Sequence, residues 1–420
     1  MKARSAVCPA SCRAFVMADT RRDLSAPPGY DVVVAGGGPA GLSAAIAAAM
    51  RGLRVAVCER RTLPIDKACG EGLMPPAVRA LDEIGARGLI DRKGCARLDG
   101  VRLIEQRGRA VQGIFPEPGG LGVRRLVLSE ALARRAREAG VEIRDGCAVT
   151  GYRTEKRRII AETSHGRIAA EVLVAADGLQ SRLRKLASLE LPARGPRRFG
   201  IRRHFRIPPW SRFVEVYIAG RMEAYVTPVA ADIVGVAILW EEVVPSDRVS
   251  FERMLRKFPI LADRLAAAPA ASRSRGAGPM LQRVRGAVAH RFVLAGDAAG
   301  YIDAITGEGL SLALASGLAL GNILPRAIEQ GATCRALREY ERVVSRRFRR
   351  YAISTRAVLT ASRYPLVHRG SMAVLRSFPR LFELAMKWAF ADESPANAVS
   401  RQSFIPAGAR DHDEPLVGVR

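Results

Sequence analysis

At Asp31–Met50 a buried strand, a cluster of glycines and the start of a helix follow one another without a spacer, an order that few folds accept. Asp31–Ala35 is almost wholly apolar, as expected of a parallel strand covered on both faces. Gly36-Gly37-Gly38-Pro39-Ala40-Gly41 comes next, and Pro39–Met50 reads as an Ala-rich helix with proline in its first turn. Three of the glycines have separate reasons to be there. Gly36 permits the tight turn, Gly38 lets a ligand come up against bare backbone, and Gly41 lets the helix lie close on the strand. The first helical turn, with Pro39 and Ala40, then offers unpaired N–H groups and positive partial charge to a pyrophosphate. Arg54–Cys58 is a second buried strand, closed by Glu59, 18 residues after Gly41, with Arg60 as a further contact beside it. An acid at that place accepts from a ribose hydroxyl and disfavours a 2′-phosphate. A glycine turn alone occurs in many folds. Strand, turn, helix, strand and acid in this order define a βαβ dinucleotide-binding unit.

Whether that unit holds FAD or NAD is decided far downstream. Val293-Leu294-Ala295-Gly296-Asp297-Ala298-Ala299-Gly300 reads as a buried strand ending in Gly-Asp, followed by a small-residue turn into a helix. Asp297 by itself would also suit a helix cap. Paired with the N-terminal unit, the segment resembles the second flavin signature of the p-hydroxybenzoate hydroxylase superfamily. Asp177-Gly178-Leu179-Gln180-Ser181-Arg182-Leu183-Arg184 matches the DGxxSxxR motif of the same superfamily. The resemblance runs from about Asp31 to about Gly321 and implies FAD as the cofactor. It further implies that Gly296 and Asp297 hold the ribityl chain, and that Asp177 and Gly178 serve flavin and nicotinamide contacts. Arg125 looks like the family's pyrophosphate-contacting Arg, although Arg124 fits the role too and both also fit as solvated arginines of a helix start. Gly307 and Gly309, followed by Leu310, would let backbone N–H groups face the isoalloxazine, where a helix N-terminus stabilises the reduced ring's negative charge.

Within the superfamily, Gly296 to Leu310 is most similar to the geranylgeranyl reductase-like branch. Aromatic hydroxylases usually carry His where this chain has Gly300, and prolines where it has Asp303-Ala304. Lys67-Ala68-Cys69-Gly70-Glu71-Gly72 resembles the reductases' Cys-Gly-Gly element beside the flavin, and the resemblance implies that Lys67 is a cofactor contact. The chain departs from the reductases at Tyr225-Val226-Thr227-Pro228, which has no Trp, and at Ala304, where both branches have Pro. The branch implies double-bond reduction in a hydrophobic, isoprenoid- or polyketide-like substrate. Monooxygenation of an apolar or phenolic compound is the alternative. A flavin electron-transfer protein comes third, without iron–sulfur cysteine spacing to support it. Reduction needs a hydride from the cofactor and a proton from a placed acid. Cys69, Glu71 and Tyr225 are the candidate catalytic donors, and Cys69 fits equally as a packed thiol. With one nucleotide fingerprint in the chain, NAD(P)H is expected as a transient donor, with a reduced carrier protein as the other option. The five His are scattered, and no metal site is expected.

The fold class expected is α/β: a Rossmann-like, discontinuous FAD-binding domain with an inserted antiparallel β-sheet substrate domain and C-terminal helices. Its parts are 31–66, 120–190 and 285–330 for the FAD-binding domain and 67–119 and 191–284 for the substrate domain. Residues 331–420 form the C-terminal helical region, and 1–30 a disordered leader in which Met17 is a second candidate start. Strands at Phe199–Phe205, Phe213–Ile218, Glu223–Val226 and Ile233–Leu239 make the inserted sheet, and Gly307–Ile328 is a helix.

A net charge of +26 suggests nucleic acid, yet only seven of the 67 basic residues are Lys and no basic run is interleaved with stacking aromatics. No nucleic-acid partner is expected; a hydrophobic small molecule is. The seven cysteines form neither a zinc pattern nor a disulfide framework. No stretch reaches the roughly 18 consecutive apolar residues of a spanning helix, and Arg21-Arg22 lacks the apolar segment of an export signal. The expectation is a cytoplasmic protein, with a peripheral place at the inner membrane surface left open by its C-terminal region. Residues 335–387 hold 13 Arg or Lys against three acids, and Leu375, Phe378, Phe382, Met386 and Phe390 recur at helical spacing beside Trp388. That pattern suits membrane-surface docking and equally a helical lid whose apolar face is core.

Overall fold

A computed structural model describes residues 29–242 and 250–390. Residues 1–28 of the expected leader 1–30, with Met17, Cys8 and Cys12, and the chain beyond 390 lie outside the described residues, whereas Tyr30, placed in that leader, already opens the first strand because its backbone pairs with Ala170. β-branched residues dictate the first sheet. Tyr30–Ala35 runs parallel between Val55–Glu59 and Gly166–Ala175, with Val32 opposite both Val55 and Val172. Glu142–Asp145 extends this sheet on one side and Phe292–Leu294 on the other, both parallel. Val32, Val33, Val34, Val172, Leu173 and Val174 are wholly buried, as strands covered on both faces must be. Because these strands are parallel, the turns after Ala35, Glu59, Ala175 and Leu294 meet at one edge of the sheet. A meander of Val149–Thr154 and Ile159–Thr163 folds back antiparallel onto Gly166–Ala175.

The helix Pro39–Ala49 is buried between this sheet and the long helix Gly309–Glu329. A Cβ on Gly317 would stand 2.4 Å from the Ala40 carbonyl oxygen, and one on Gly321 would stand 2.4 Å from Ala47 Cβ. The two helices therefore touch backbone to backbone and run in the same direction. By length and composition Gly309–Glu329 is long and apolar enough to cross a membrane, but Leu314, Leu320 and Leu324 are spent inside the protein.

The second sheet has seven strands, in the order Arg275–Ala277, Arg198–Arg206, Ile233–Glu241, Met222–Ala230, Phe213–Ala219, Gly100–Glu105 and Ala110–Ile114. All pairs are antiparallel except Phe213–Ala219 with Gly100–Glu105. The four central strands coincide with those expected from the alternation of the sequence. The hairpin Gly100–Glu105/Ala110–Ile114 was not anticipated, since Gly100 and Gly113 leave gaps in its pattern; a Cβ on Gly100 would stand 2.0 Å from the Gly113 oxygen. One face of this sheet packs Phe205, Val226, Val234 and Ile238 against Phe251, Phe258 and Leu261. The other face, carrying Arg202, His204 and Tyr225, turns towards the segment Asp66–Glu71 and the loop before Gly307.

Three helices follow, Arg338–Arg363, Pro365–Ser377 and Pro379–Ala389. Pro365 and Pro379 each open a helix, the position where a missing N–H costs nothing. Met386 and Phe390 are buried in an apolar cluster with Phe115, and Phe382 lies over Gly113, so one face of the last helix is a lid on the second sheet.

The glycine crossing yields a direct expectation. Gly317→Val forces a side chain into the Ala40 carbonyl and should destabilise the protein by roughly 3 kcal/mol. Gly88→Ala, which meets nothing within 4 Å, should stay within about 0.5 kcal/mol of the parent. Urea unfolding of both variants checks the pair.

Candidate functional site

The glycine turn is held from both sides. Gly36 has φ of 113°, and a Cβ there would stand 2.4 Å from the Ala176 oxygen, while one on Gly41 would stand 2.0 Å from the Gly36 oxygen. Glu59 is buried and locks the turn to its strand: Gly37 N–H donates to Oε2 at 2.7 Å and Arg61 N–H to Oε1 at 3.0 Å. Each oxygen keeps a second lone pair for a ribose hydroxyl. Arg60, beside it, is exposed. Helix Pro39–Ala49 has no side-chain cap, so the N–H groups of its first turn face Gly38 unpaired. A Cβ on Gly38 would have one neighbour within 4 Å, Nη2 of Arg125 at 3.9 Å. Arg125 is buried, and its Nε, like that of Arg124, has no hydrogen-bond partner, but only Arg125 stands against Gly38. Of the two adjacent arginines, Arg125 is thus the one aimed at the glycine turn.

The downstream Gly-Asp turn reaches the same place. Ala295 N–H donates to the Ala175 oxygen at 2.9 Å, which continues the sheet. Gly296 has φ of 61°, and a Cβ on it would stand 2.6 Å from Ala40 Cβ, so the turn lies on the first turn of the glycine helix. Asp297 pairs with Lys67 Nζ at 3.3 Å, and Lys67 Nζ lies 3.5 Å from the Cβ position of Gly178. Gly307 has φ of 68°, and helix Gly309–Glu329 starts immediately after Glu308 without a side-chain cap; Leu310 lies buried in its first turn.

Asp177 is committed to its own turn, accepting from Ser181 Oγ at 2.6 Å and Leu183 N–H at 3.2 Å. Arg184, wholly buried, donates to Leu179 O at 3.1 Å, Gln282 Oε1 at 2.7 Å and Ala298 O at 3.3 Å. It ties the motif at Asp177 to the turn at Asp297.

The three candidate donors sit differently. Cys69 is half-buried and accepts from Glu71 N–H at 3.3 Å, and burial pushes its thiol pKa up against the pull of Arg125. Tyr225 is buried and donates to the Ile305 oxygen; burial first, then the Glu223 and Asp303 carboxylates, hold its pKa well above the usual value. Glu71 has φ of 61° and is sealed in. Its Oε1 accepts from Arg125 N–H at 2.8 Å, and its Oε2 lies 2.6 Å from His204 Nε2. His204 Nδ1 lies 3.2 Å from Arg202 Nη1 and 2.8 Å from Ser272 Oγ, so both ring nitrogens are engaged. Arg202 also donates to Asp66 and to the Lys67 oxygen. Arg202 and His204 carry no local mark of burial, because basic residues on alternate positions of a strand read as its solvent face, and Asp66 lies in a loop without a motif. Glu308 carries no such mark either, although it stands between two glycines already singled out. It is buried, accepts from Ser354 Oγ at 3.0 Å, and burial lifts its pKa to about 7.

An uncapped helix start behind bare glycine, an orphaned Arg125 Nε, a buried ribose-side acid and a second Gly-Asp turn on the same edge fit a dinucleotide with a long non-nucleotide half. This is the site of a flavoprotein. The chain belongs to the FAD binding domain family, whose profile matches residues 29–352, and it is an FAD-dependent oxidoreductase. It is 28% identical over 333 residues to digeranylgeranylglycerophospholipid reductase 1 of Methanothermobacter thermautotrophicus, covering 74% of this chain and 81% of that protein. A geranylgeranyl bacteriochlorophyll reductase-like protein of Thermoplasma acidophilum superposes with a TM-score of 0.71 at 21% identity, over 90% of this chain and 99% of that one. A flavin-dependent brominase does so with a TM-score of 0.75 at 20% identity, over 89% and 99%. These structures share the fold, which is the α/β class expected from the sequence.

Two measurements follow. Arg125→Met should weaken FAD binding by roughly 1.5–3 kcal/mol, the worth of hydrogen bonds to a charged group, and Arg124→Met by clearly less. Fluorescence titration of apoprotein decides it, and equal losses would assign Arg125 no special part. Glu308 predicts a pH effect on stability. The folded chain keeps its proton up to about pH 7 whereas an unfolded Glu ionises near 4.5, so stability is full below 4.5 and falls as pH rises to 7. Glu308→Gln should lack that decline, which amounts to roughly 3 kcal/mol. Urea midpoints of both proteins between pH 4.5 and 8 provide the check.

Proposed function

We propose that this oxidoreductase reduces a carbon–carbon double bond in an apolar, isoprenoid-type substrate, with NAD(P)H as a transient electron donor. The observation that carries the reading is the apolar cluster of Met74, Leu98, Phe115, Tyr225, Ile305 and Met386. It extends from the loop before Gly307 to the last helix, next to where the two flavin elements converge. Its methionines, unbranched and adaptable, can make way for a branched hydrocarbon. When bound, the reduced flavin supplies a hydride. The chain's own residues supply the rest. The cluster keeps water out, Tyr225 fastens the Ile305 loop, and Glu308 holds a proton on its carboxyl near neutral pH, where an acid catalyst is most effective. Cys69 and Tyr225 keep theirs on Sγ and Oη. The relative named for reduction of a digeranylgeranylglycerophospholipid supports the substrate class. The donor is inferred from the single glycine fingerprint in the sequence. A second nucleotide would then have to visit the open side of the same site.

One observation favours a second reading. Burial raises the pKa of Cys69 and Tyr225, which leaves Glu308 as the acid–base group of the three near neutral pH, and so sparse a set also suits oxygenation of an apolar or phenolic compound.

Anaerobic stopped-flow absorbance separates the two. NADH or NADPH should bleach the yellow protein, and a geranylgeranyl lipid should restore the colour without oxygen, with two hydrogens gained by the product in mass spectrometry. Colour that returns only with oxygen, together with an oxygenated product, would establish the monooxygenase instead.

A further inference from the structure

Fourteen large apolar side chains are exposed among the described residues, and ten of them lie between Ile353 and Trp388. Such crowding is not the scatter expected of an ordinary surface. The last helix, Pro379–Ala389, is apolar on two sides. Phe382 and Met386, four apart, face inward with Phe390 onto the second sheet. Leu381, Leu384 and Trp388, three and four apart, are exposed, and they continue the exposed Phe378. The helix before it, Pro365–Ser377, buries Met372 and exposes Leu366, Val367 and Val374, Leu366 at 81%.

The charge around this face is predominantly positive. Residues 351–390 contain six Arg or Lys and one acid, Glu383. Arg356, Arg369, Arg376, Arg380 and Lys387 are exposed. Arg356 and Arg363, the latter paired with Glu241, also wall an open cavity of about 270 Å³ with Arg194 and the Arg198–Asp303 pair, just before the chain bends at Tyr364 into the exposed apolar run.

We propose that the outer face of these last two helices docks on an anionic lipid bilayer. Three features select that occupant. Apolar residues ringed by long basic side chains fit the boundary between acyl chains and anionic headgroups, with Trp388 at its edge. The helices are 13 and 11 residues long, too short to span and suited to lie in the surface. A second copy would bring the same basic face, and the same net +26, against this one. Docking would put the bilayer on one side of helix Pro379–Ala389 and the apolar cluster on the other. Only that last consequence rests on the proposed reductase reading; the docking itself does not.

The test uses the full FAD-loaded chain sedimented with vesicles of phosphatidylglycerol and phosphatidylcholine, or of phosphatidylcholine alone, at low and high salt. Binding to the anionic vesicles only, weakened by salt, is expected. Arg376→Gln with Arg380→Gln should lower partitioning on the order of thirty-fold, at about tenfold per 1.4 kcal/mol and about 1 kcal/mol per basic residue. Leu384→Gln with Trp388→Gln should lower it at least as much. All four side chains are exposed, so FAD content and melting temperature should match the parent and certify the fold. Equal binding to neutral vesicles, indifference to salt, variants that pellet like the parent, or no pelleting each overturn the proposal. A dimer in sedimentation velocity that the Leu384/Trp388 variant dissolves would give the face to a second copy and overturn it as well. No activity enters these readouts, so their failure is separate from any failure of the reductase reading.

Discussion

The bare N-terminus of helix Pro39–Ala49 must arrive at the sheet edge while the helix is buried on both sides, and much of the cofactor half is arranged around that need. Burial without a cap leaves N–H groups that only a ligand or water can satisfy. Close approach is achieved by removing side chains: Gly36 and Gly41 towards the strand, Gly317 and Gly321 towards the second helix. The same contacts fix a register. Ala40 sits against Gly317, eight residues into the helix that starts at Gly309, so its N-terminus stands about 10 Å beyond that of the first. Two positive helix ends are thereby set in line at unequal depths. That geometry suits a ligand with phosphates at one end and a ring system at the other.

The two sheets are joined through buried charge. Glu71 from the first-sheet side meets His204 and the backbone N–H of Arg125, and Arg202 meets Asp66. Arg198 lies 2.5 Å from Glu223 and 2.8 Å from Asp303, whose backbone N–H in turn donates to Tyr351 Oη on the first of the C-terminal helices. Burying each ion costs several kcal/mol, so such networks contribute little net stability; an apolar filling would serve that purpose as well. What they do contribute is direction. An apolar interface tolerates sliding, whereas a guanidinium held by two carboxylates has one arrangement. The loop from Asp303 to Gly309, which ends at helix Gly309–Glu329, is held by such contacts from the second sheet and the C-terminal helices together.

The parts of the molecule that were legible in the sequence are those where local pattern and tertiary role agree. Asp31 to Glu59 reads correctly because every residue type has a single job there. The strands at Arg198–Arg206 and Met222–Ala230 were found as strands, but their inward faces were not. Arg198, Arg202 and His204 point into the protein, and binary patterning assigns such residues to water. Nothing local distinguishes a buried Arg with a carboxylate waiting a hundred residues away from a solvated one. The last helices illustrate the opposite limit. Met386 and Phe390 are buried, Phe382 is half-buried and Phe378 is exposed, yet all four belong to one apolar repeat. Periodicity alone cannot say which of two apolar sides the protein covers.

The sign of charge along the site gives the ligand its orientation. Glu59 offers carboxylate oxygens that suit ribose hydroxyls. The helix start at Pro39 and Arg125 offer positive charge that suits phosphates. Asp297 brings a carboxylate paired with Lys67, and the helix start at Gly309 is positive once more. A ligand satisfying this alternation needs donor hydroxyls on both sides of its phosphates and a terminal group able to take up negative charge. Turned end for end, it would set its ring against Glu59 and its adenosine against the second helix start. It would then lose the charge complementarity at the ring without gaining any at the phosphates. The alternation thus favours one direction for such a ligand, in which a flavin ring would lie at the end of the site where Ile305, Tyr225 and Met74 form an apolar wall.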